Sequence, residues 1–301
     1  MSSNKDGHIQ HSMQQSGIRR IDSGYSPKFT RPATHPRPRA ARVLPGWSAV
    51  LAMTAISFTS SDVLAQSRVE QLSPGTPTGQ PTTISLTGEP SVRFGLTNDY
   101  RFRGISRSFR DPAVQAGARF TLPANFYFDV FGSTVDKTVF TNSRGVELDV
   151  TAGYRHTFAT DWTLDVGLVQ YLFPTATEFS TLEAFVGASW NWISFKINNT
   201  LSNRHFGIPN AKYSQYFDLS GRYPLLPWLN LTGHYGIQRI DGNDGGFNDY
   251  KLGLHTNWKG FDWELAMVGT DVDETLANAA GRRVDLGGRG FVFTVGRRFA
   301  F

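Results

Sequence analysis

Arg93, Asp99, Arg101 and Arg103 recur at odd positions, so along an extended chain their charges leave from one face. Further charges fall on the same face of other alternating segments: Arg119, Asp129, Glu147, Asp149, Arg155, Glu183, Arg222 and Lys251. Charged rings facing a narrow enclosed space take over part of an ion's hydration shell and select among solutes. The same charges, paired with one another, instead make an ion-pair network that holds a wall together. The sequence leaves both roles open.

Other chemistry is poorly supplied. The chain has no cysteine, which removes thiol catalysis, disulfides and cysteine zinc sites. Hydrolysis would need a serine and a histidine in reach of each other plus an orienting group. No G-x-S-x-G segment occurs. His156 is expected on the outer face near a short turn, and His234 and His255 on the inner face. The run Asp241 to Gly246 resembles a calcium loop but lacks the bidentate glutamate. No enzyme activity, no cofactor and no metal site is expected.

The elements that must carry these charges are strands. From residue 89 onward, period-two alternation predicts about twelve: 91–104, 112–122, 125–134, 145–157, 162–172, 179–190, 192–201, 213–223, 228–238, 248–258, 261–270 and 290–301. Most are near the ~9–11 residues of a tilted membrane strand. In the first, Val92, Phe94, Leu96, Tyr100 and Phe102 are expected on the apolar face, opposite the arginines. Tyr127, Phe131, Tyr171, Phe185 and Tyr216 are expected to project inward and narrow the interior.

Connections alternate short and long. Short ones are Pro123-Ala124, 159–161, Asn191, Pro224 to Pro227 and Lys259-Gly260. Long ones include 105–111, 135–144, 202–212, 239–247 and 271–289. An outer-membrane barrel has short periplasmic turns and longer outer loops. Trp162, Trp190, Trp192, Trp228, Trp258 and Trp263 all lie beside short connections, as an interfacial aromatic girdle would. The chain ends in an alternating run closed by Phe301, expected to lie against the first strand beside Val92 and Phe94. A terminal strand of this kind is expected to be read by the outer-membrane assembly machinery. Arg297 falls on the apolar side of that strand and has to snorkel to a headgroup.

Upstream, Leu44 to Phe58 is apolar and follows Arg37, Arg39 and Arg42, and Ala65 offers a small residue for cleavage before Gln66. Residues 1–65 are expected to be an extended signal peptide, 66–88 a flexible periplasmic linker, and 89–301 the barrel. Residues 1–65 hold 8 of the 30 basic and 3 of the 25 acidic side chains, leaving 22 of each beyond. The formal net charge of +5 therefore belongs to the leader, and no nucleic-acid partner is expected.

The run Leu96-Thr97-Asn98-Asp99-Tyr100-Arg101-Phe102-Arg103-Gly104-Ile105-Ser106, followed by Asp111-Pro112-Ala113-Val114-Gln115-Ala116-Gly117, resembles the opening of the TorF porin family, also described as a conserved bacterial family of unknown function. Segments at 147–154, 171–174 and 249–253 are similar to later parts of that family, in order. The resemblance implies an exported outer-membrane barrel with porin activity and carries over no catalytic or substrate residues.

The expected protein is thus an all-β transmembrane antiparallel barrel in the outer membrane of a Gram-negative bacterium, passing small polar or charged solutes by diffusion. Its partners would be outer-membrane lipid, lipopolysaccharide and the assembly machinery. The alternative is a closed barrel with a structural, adhesive or lipid-binding role.

Overall fold

The computed structural model describes residues 90–158, 161–242 and 245–301. The leader and linker expected from the sequence lie outside the described residues. Twelve strands form the wall: β1 (Ser91–Thr97), β2 (Ala113–Thr121), β3 (Phe126–Thr134), β4 (Val146–Thr157), β5 (Trp162–Leu172), β6 (Thr181–Trp190), β7 (Ile193–Thr200), β8 (Gln215–Leu226), β9 (Leu229–Arg239), β10 (Gly246–Trp258), β11 (Phe261–Thr270) and β12 (Gly290–Ala300). Each pairs antiparallel with its neighbours in sequence, and β1 pairs with β12 to close the barrel. Closure leaves no strand edge unpaired.

Alternation puts the apolar side chains outside. Along β11, Asp262, Glu264, Ala266 and Val268 are buried while Leu265 is exposed. Leu252 is 53% exposed and Phe291 71%. Phe94, Leu96, Val114, Phe120, Leu219 and Phe293 join them in an apolar outer surface. A water-soluble barrel would turn these side chains inward, so the pattern is inverted. Trp162 and Trp190 face each other across β5 and β6 with stacked rings, and Trp192 meets Tyr223 edge-on, all at the short-turn end.

Closure follows the expected strand but shifts its end by a few residues. Val92 lies opposite Phe299 and Phe94 opposite Arg297. Phe301 is one step further out, where its N–H donates to the Pro90 carbonyl, 3.0 Å. The Arg297 guanidinium lies over the Phe261 and Phe299 rings, 5.1 and 5.0 Å from their centroids. Pro224 is part of β8 and not of a turn, because the strand continues to Leu226 across a register shift.

The larger correction concerns β1. It stops at Thr97, where the sequence predicts strand to residue 104. The Asn98 side chain takes over the ladder, donating to the Phe291 carbonyl at 3.1 Å and accepting from the Phe293 N–H at 2.8 Å. From there the chain leaves the wall and folds into the barrel. It forms a two-residue hairpin, Arg101–Phe102 against Ile105–Ser106, and rejoins the wall at Ala113. Tyr100 and Phe102, expected on the outer face, are buried inside.

Candidate functional site

The inward loop 98–112 dominates the interior at the long-loop end. It holds three non-glycine residues at positive φ: Arg103 at 50°, Phe109 at 60° and Arg110 at 57°. Each such residue costs about 1–2 kcal/mol over the right-handed form. Gly104, at φ 76°, turns the hairpin. A Cβ there would meet the Cβ atoms of Asp249 and Thr270 at 2.7 and 2.8 Å, so the loop lies tight against β10 and β11.

Charge and aromatic contacts offset that strain. Arg103 donates through Nη2 to Glu183 Oε2 at 2.6 Å and through Nη1 to Gln238 Oε1 at 2.7 Å. It thereby reaches β6 and β9 at once. Its guanidinium lies over the Tyr216 ring, 4.1 Å from the centroid. Burial works most strongly against its charge, but Glu183, Tyr171 and Tyr216 together outweigh burial and raise its pKa above the ordinary value. Arg107 donates to Glu147 on β4, and lies 3.7 Å over Phe102 and 4.7 Å over Phe206. Burial lowers its pKa. Arg101, with no exposed surface, binds Asp99 at 2.7 Å and the Gly104, Gly287 and Gly288 carbonyls at 3.0–3.2 Å. It ties this loop to the 271–289 loop.

An apolar core fills the gaps between these charges. Tyr100, Phe102 and Phe109 of the loop join Phe131, Tyr171, Phe173, Phe140, Phe179 and Leu286 from the wall and neighbouring loops. Phe140 stacks on Phe173 at 4.4 Å between centroids. Burial raises the pKa of the Tyr100 hydroxyl well above its ordinary value.

Below the loop the wall carries paired charges. Arg93 donates to Asp129 at 3.1 and 3.3 Å, and Arg119 to the same carboxylate at 3.0 Å. Arg155 meets Asp165 at 2.5 Å, and the Tyr127 hydroxyl donates to Asp165 at 2.9 Å. Lys251 donates to Glu264 at 3.1 Å, as does Thr232 at 2.8 Å. Arg119 and Asp129 are direct cross-strand partners, as are Arg155 and Asp165, the arrangement in which opposite charges help a sheet.

All twelve residues singled out from the sequence are therefore inside, in two groups. Arg93, Arg119, Asp129, Glu147, Asp149, Arg155, Glu183, Arg222 and Lys251 lie on wall strands, all buried or nearly so. Asp99, Arg101 and Arg103 do not line the wall; they belong to the inward loop. Sequence reasoning missed Arg107 and Gln238 as its anchors. The available signal was Tyr100, Phe102, Ile105 and Phe109 crowded into a loop, since a connection that rich in apolar side chains has to pack against something.

One cluster has the composition of a hydrolase triad. Ser220 Oγ is 3.3 Å from His234 Nδ1, and His234 Nε2 is 2.7 Å from Asp249. Asp218 also lies 3.2 Å from Nδ1, and the Ser220 hydroxyl donates to Asp218. A carboxylate faces each ring nitrogen, an arrangement that favours an imidazole donating both ways, with no lone pair for a serine proton. The cluster ties β8, β9 and β10 together and makes no nucleophile.

Several solved barrels are similar in outline. A KdgM porin in complex with disordered oligogalacturonate shares 8% identity, covering 71% of this chain and 99% of that one, with a TM-score of 0.45. A NanC porin shares 12%, over 70% and 99%, with a TM-score of 0.43. The COG4313 outer membrane channel from Pseudomonas putida F1 shares 10%, over 72% and 97%, with a TM-score of 0.41. No curated protein matches the sequence. Residues 84–299, which include every wall strand except the final residue of β12, match one family throughout, and the chain belongs to it: the Gcw_chp family, bacterial proteins of unknown function.

Proposed function

We propose that this protein is an outer-membrane channel of the porin type for small polar or charged solutes, shut in the described conformation by loop 98–112. The observation that carries this is a charged barrel interior interrupted at one level by a segment that is not part of the wall. An apolar exterior, an aromatic girdle at the short-turn end and full closure suit a bilayer. The resemblance of the opening segment to TorF porins supports the same reading. Buried polar atoms support an interior that can rearrange: Arg101 Nη2, Gln115 Oε1, Glu147 Oε2, Asp149 Oδ1 and Asn198 Oδ1 have no hydrogen-bond partner among the described residues. Leaving such groups unpaired costs about 1–3 kcal/mol each, which works against an interior closed for good.

The loop has the properties of a gate. It is strained at three residues, yet held by separable side-chain contacts to β4, β6 and β9. Solutes would pass down a gradient once it moves, meeting the Arg93, Asp129 and Arg119 group beneath. Refolded, heat-modifiable protein should show discrete current steps in planar bilayers, and Asp129→Asn should raise anion over cation permeability. A folded barrel that passes no current at any voltage opposes the proposal.

The apolar core favours a second reading, a barrel closed for good with a structural, adhesive or lipid-binding role, because it runs continuously from loop to wall. Under either reading the protein resides in the outer membrane of a Gram-negative bacterium, in contact with lipid and lipopolysaccharide. The exposed Phe301 is the proposed contact for the assembly machinery. Deleting it should cut the yield of assembled barrel in cells and leave refolding in detergent intact; equal losses in both would oppose that role.

A further inference from the structure

A half-enclosed cavity of about 100 Å³ lies beside the hairpin at the long-loop end. Its walls are chiefly apolar: Ile105, Val139, Phe140, Phe206, Ile208 and Leu286. They come from several different connections, so the cavity exists only while the loops are packed together. Apolar cavities of about 150 Å³ stay dry and take up molecules the size of benzene. This space is smaller but open on one side, so a single ring would seat with an edge or a small substituent projecting outward.

The polar groups at the cavity decide the charge of the occupant. Arg103 and Arg107 line it, but each is already neutralised, Arg103 by Glu183 at 2.6 Å and Arg107 by Glu147. The faces of the Arg107 guanidinium are taken by Phe102 and Phe206. The Gln238 amide is spent, accepting from Arg103 and donating to the Gln215 and Arg239 carbonyls at 3.1 Å. His205 shares a 2.8 Å hydrogen bond with Thr200, and burial keeps its ring neutral, with a pKa pushed down to about 3. Glu274 contributes a further carboxylate to the lining. An incoming carboxylate would therefore find no uncompensated cation and would lose its hydration for nothing. An incoming cation would have to displace Arg103, Arg107 or the partner that Glu274 already has.

We infer that this cavity is a binding site for a small, uncharged, mainly apolar molecule of about one ring, with at most one hydroxyl or carbonyl directed outward. The site goes beyond the channel reading and does not need the barrel to conduct. A bound ring would touch the hairpin, the 135–145 loop and the 201–214 loop together, and so would favour the packed arrangement of all three.

The test uses the full barrel in lipid nanodiscs and fluorine NMR of two probes, 4-fluorobenzyl alcohol and 4-fluorobenzoate, with empty nanodiscs as the partition control. The alcohol should bind saturably and at least tenfold more tightly than the benzoate. Ile105→Trp and, independently, Val139→Phe should each abolish saturable binding while the barrel stays heat-modifiable. Should one variant fail to fold, the other still decides. A response no greater than in empty nanodiscs, or unchanged in a folded cavity-filling variant, would overturn the site. Tighter binding of the benzoate would overturn the charge argument. Because no current is measured, failure here is distinguishable from failure of the channel proposal.

Discussion

Replacing Arg103 with methionine should release the inward loop. The substitution keeps much of the apolar stem and removes both charge-assisted hydrogen bonds, to Glu183 at 2.6 Å and to Gln238 at 2.7 Å. Breaking a buried ion pair from one side costs about 3–5 kcal/mol, because the remaining charge is stranded. Here Glu183 keeps one donor, Asn198 Nδ2 at 2.9 Å, which favours the lower end. Loss of the guanidinium from above the Tyr216 and Phe102 rings adds to the cost. A loss of about 3 kcal/mol raises the released fraction roughly 100-fold. Trypsin reads this directly. Arg107 is buried while the loop is in place, so cleavage after it requires release. When opening is fast relative to cleavage, the nicking rate follows the released population. Fragments ending at Arg107, identified by mass, should appear about 100 times faster in Arg103→Met than in the parent. The double variant Arg103→Met/Glu183→Met strands no charge and should recover part of the protection. An unchanged rate in a folded Arg103→Met barrel would refute the latch.

Other perturbations follow from the same contacts. Gly104→Ala would place a Cβ 2.7 Å from that of Asp249 at a φ of 76°, and should speed cleavage after Arg107 about tenfold, for a cost of about 1–2 kcal/mol. His205 has a pKa of about 3 while packed, held down by burial, against about 6.5 when free. Between those values His205 binds more protons once exposed than while packed, so the 201–214 loop, whose Phe206 meets Phe102 of the inward loop edge-on, packs less firmly as pH falls below about 6.5. Glu183 on β6 opposes this trend, and Arg103 and Arg107 reinforce it. The open fraction in planar bilayers should therefore be higher near pH 5 than near pH 7.5, and His205→Asn should flatten the difference. A pH response that survives in that variant would assign the effect to another group.

The sequence was most legible where one face of a strand is apolar. Leu265 and Leu252 against Glu264 and Lys251 leave no ambiguity of register, because slipping by one residue would swap every side chain between lumen and exterior. The same logic failed beyond Thr97. The odd-numbered arginines and even-numbered aromatics of 99–103 continue the period of β1, yet Asn98 satisfies the β12 edge and Gly104 reverses the chain. Alternation records where polar and apolar side chains go, and a plug inside a polar lumen needs both kinds, just as the wall does. Pairings such as Arg103 with Glu183, 80 residues apart, depend on barrel curvature and are not present in any local pattern. The Ser220, His234 and Asp249 cluster shows the converse, residues of catalytic type that only geometry assigns to wall support.

The most direct measurement removes the loop. A variant in which residues 99–111 are replaced by a short glycine-containing turn keeps all twelve wall strands. Refolded and confirmed as heat-modifiable, it should conduct continuously in planar bilayers, where the parent should show only brief openings. A folded, loop-trimmed barrel that remains non-conducting would contradict the account and leave the permanently closed barrel in its place.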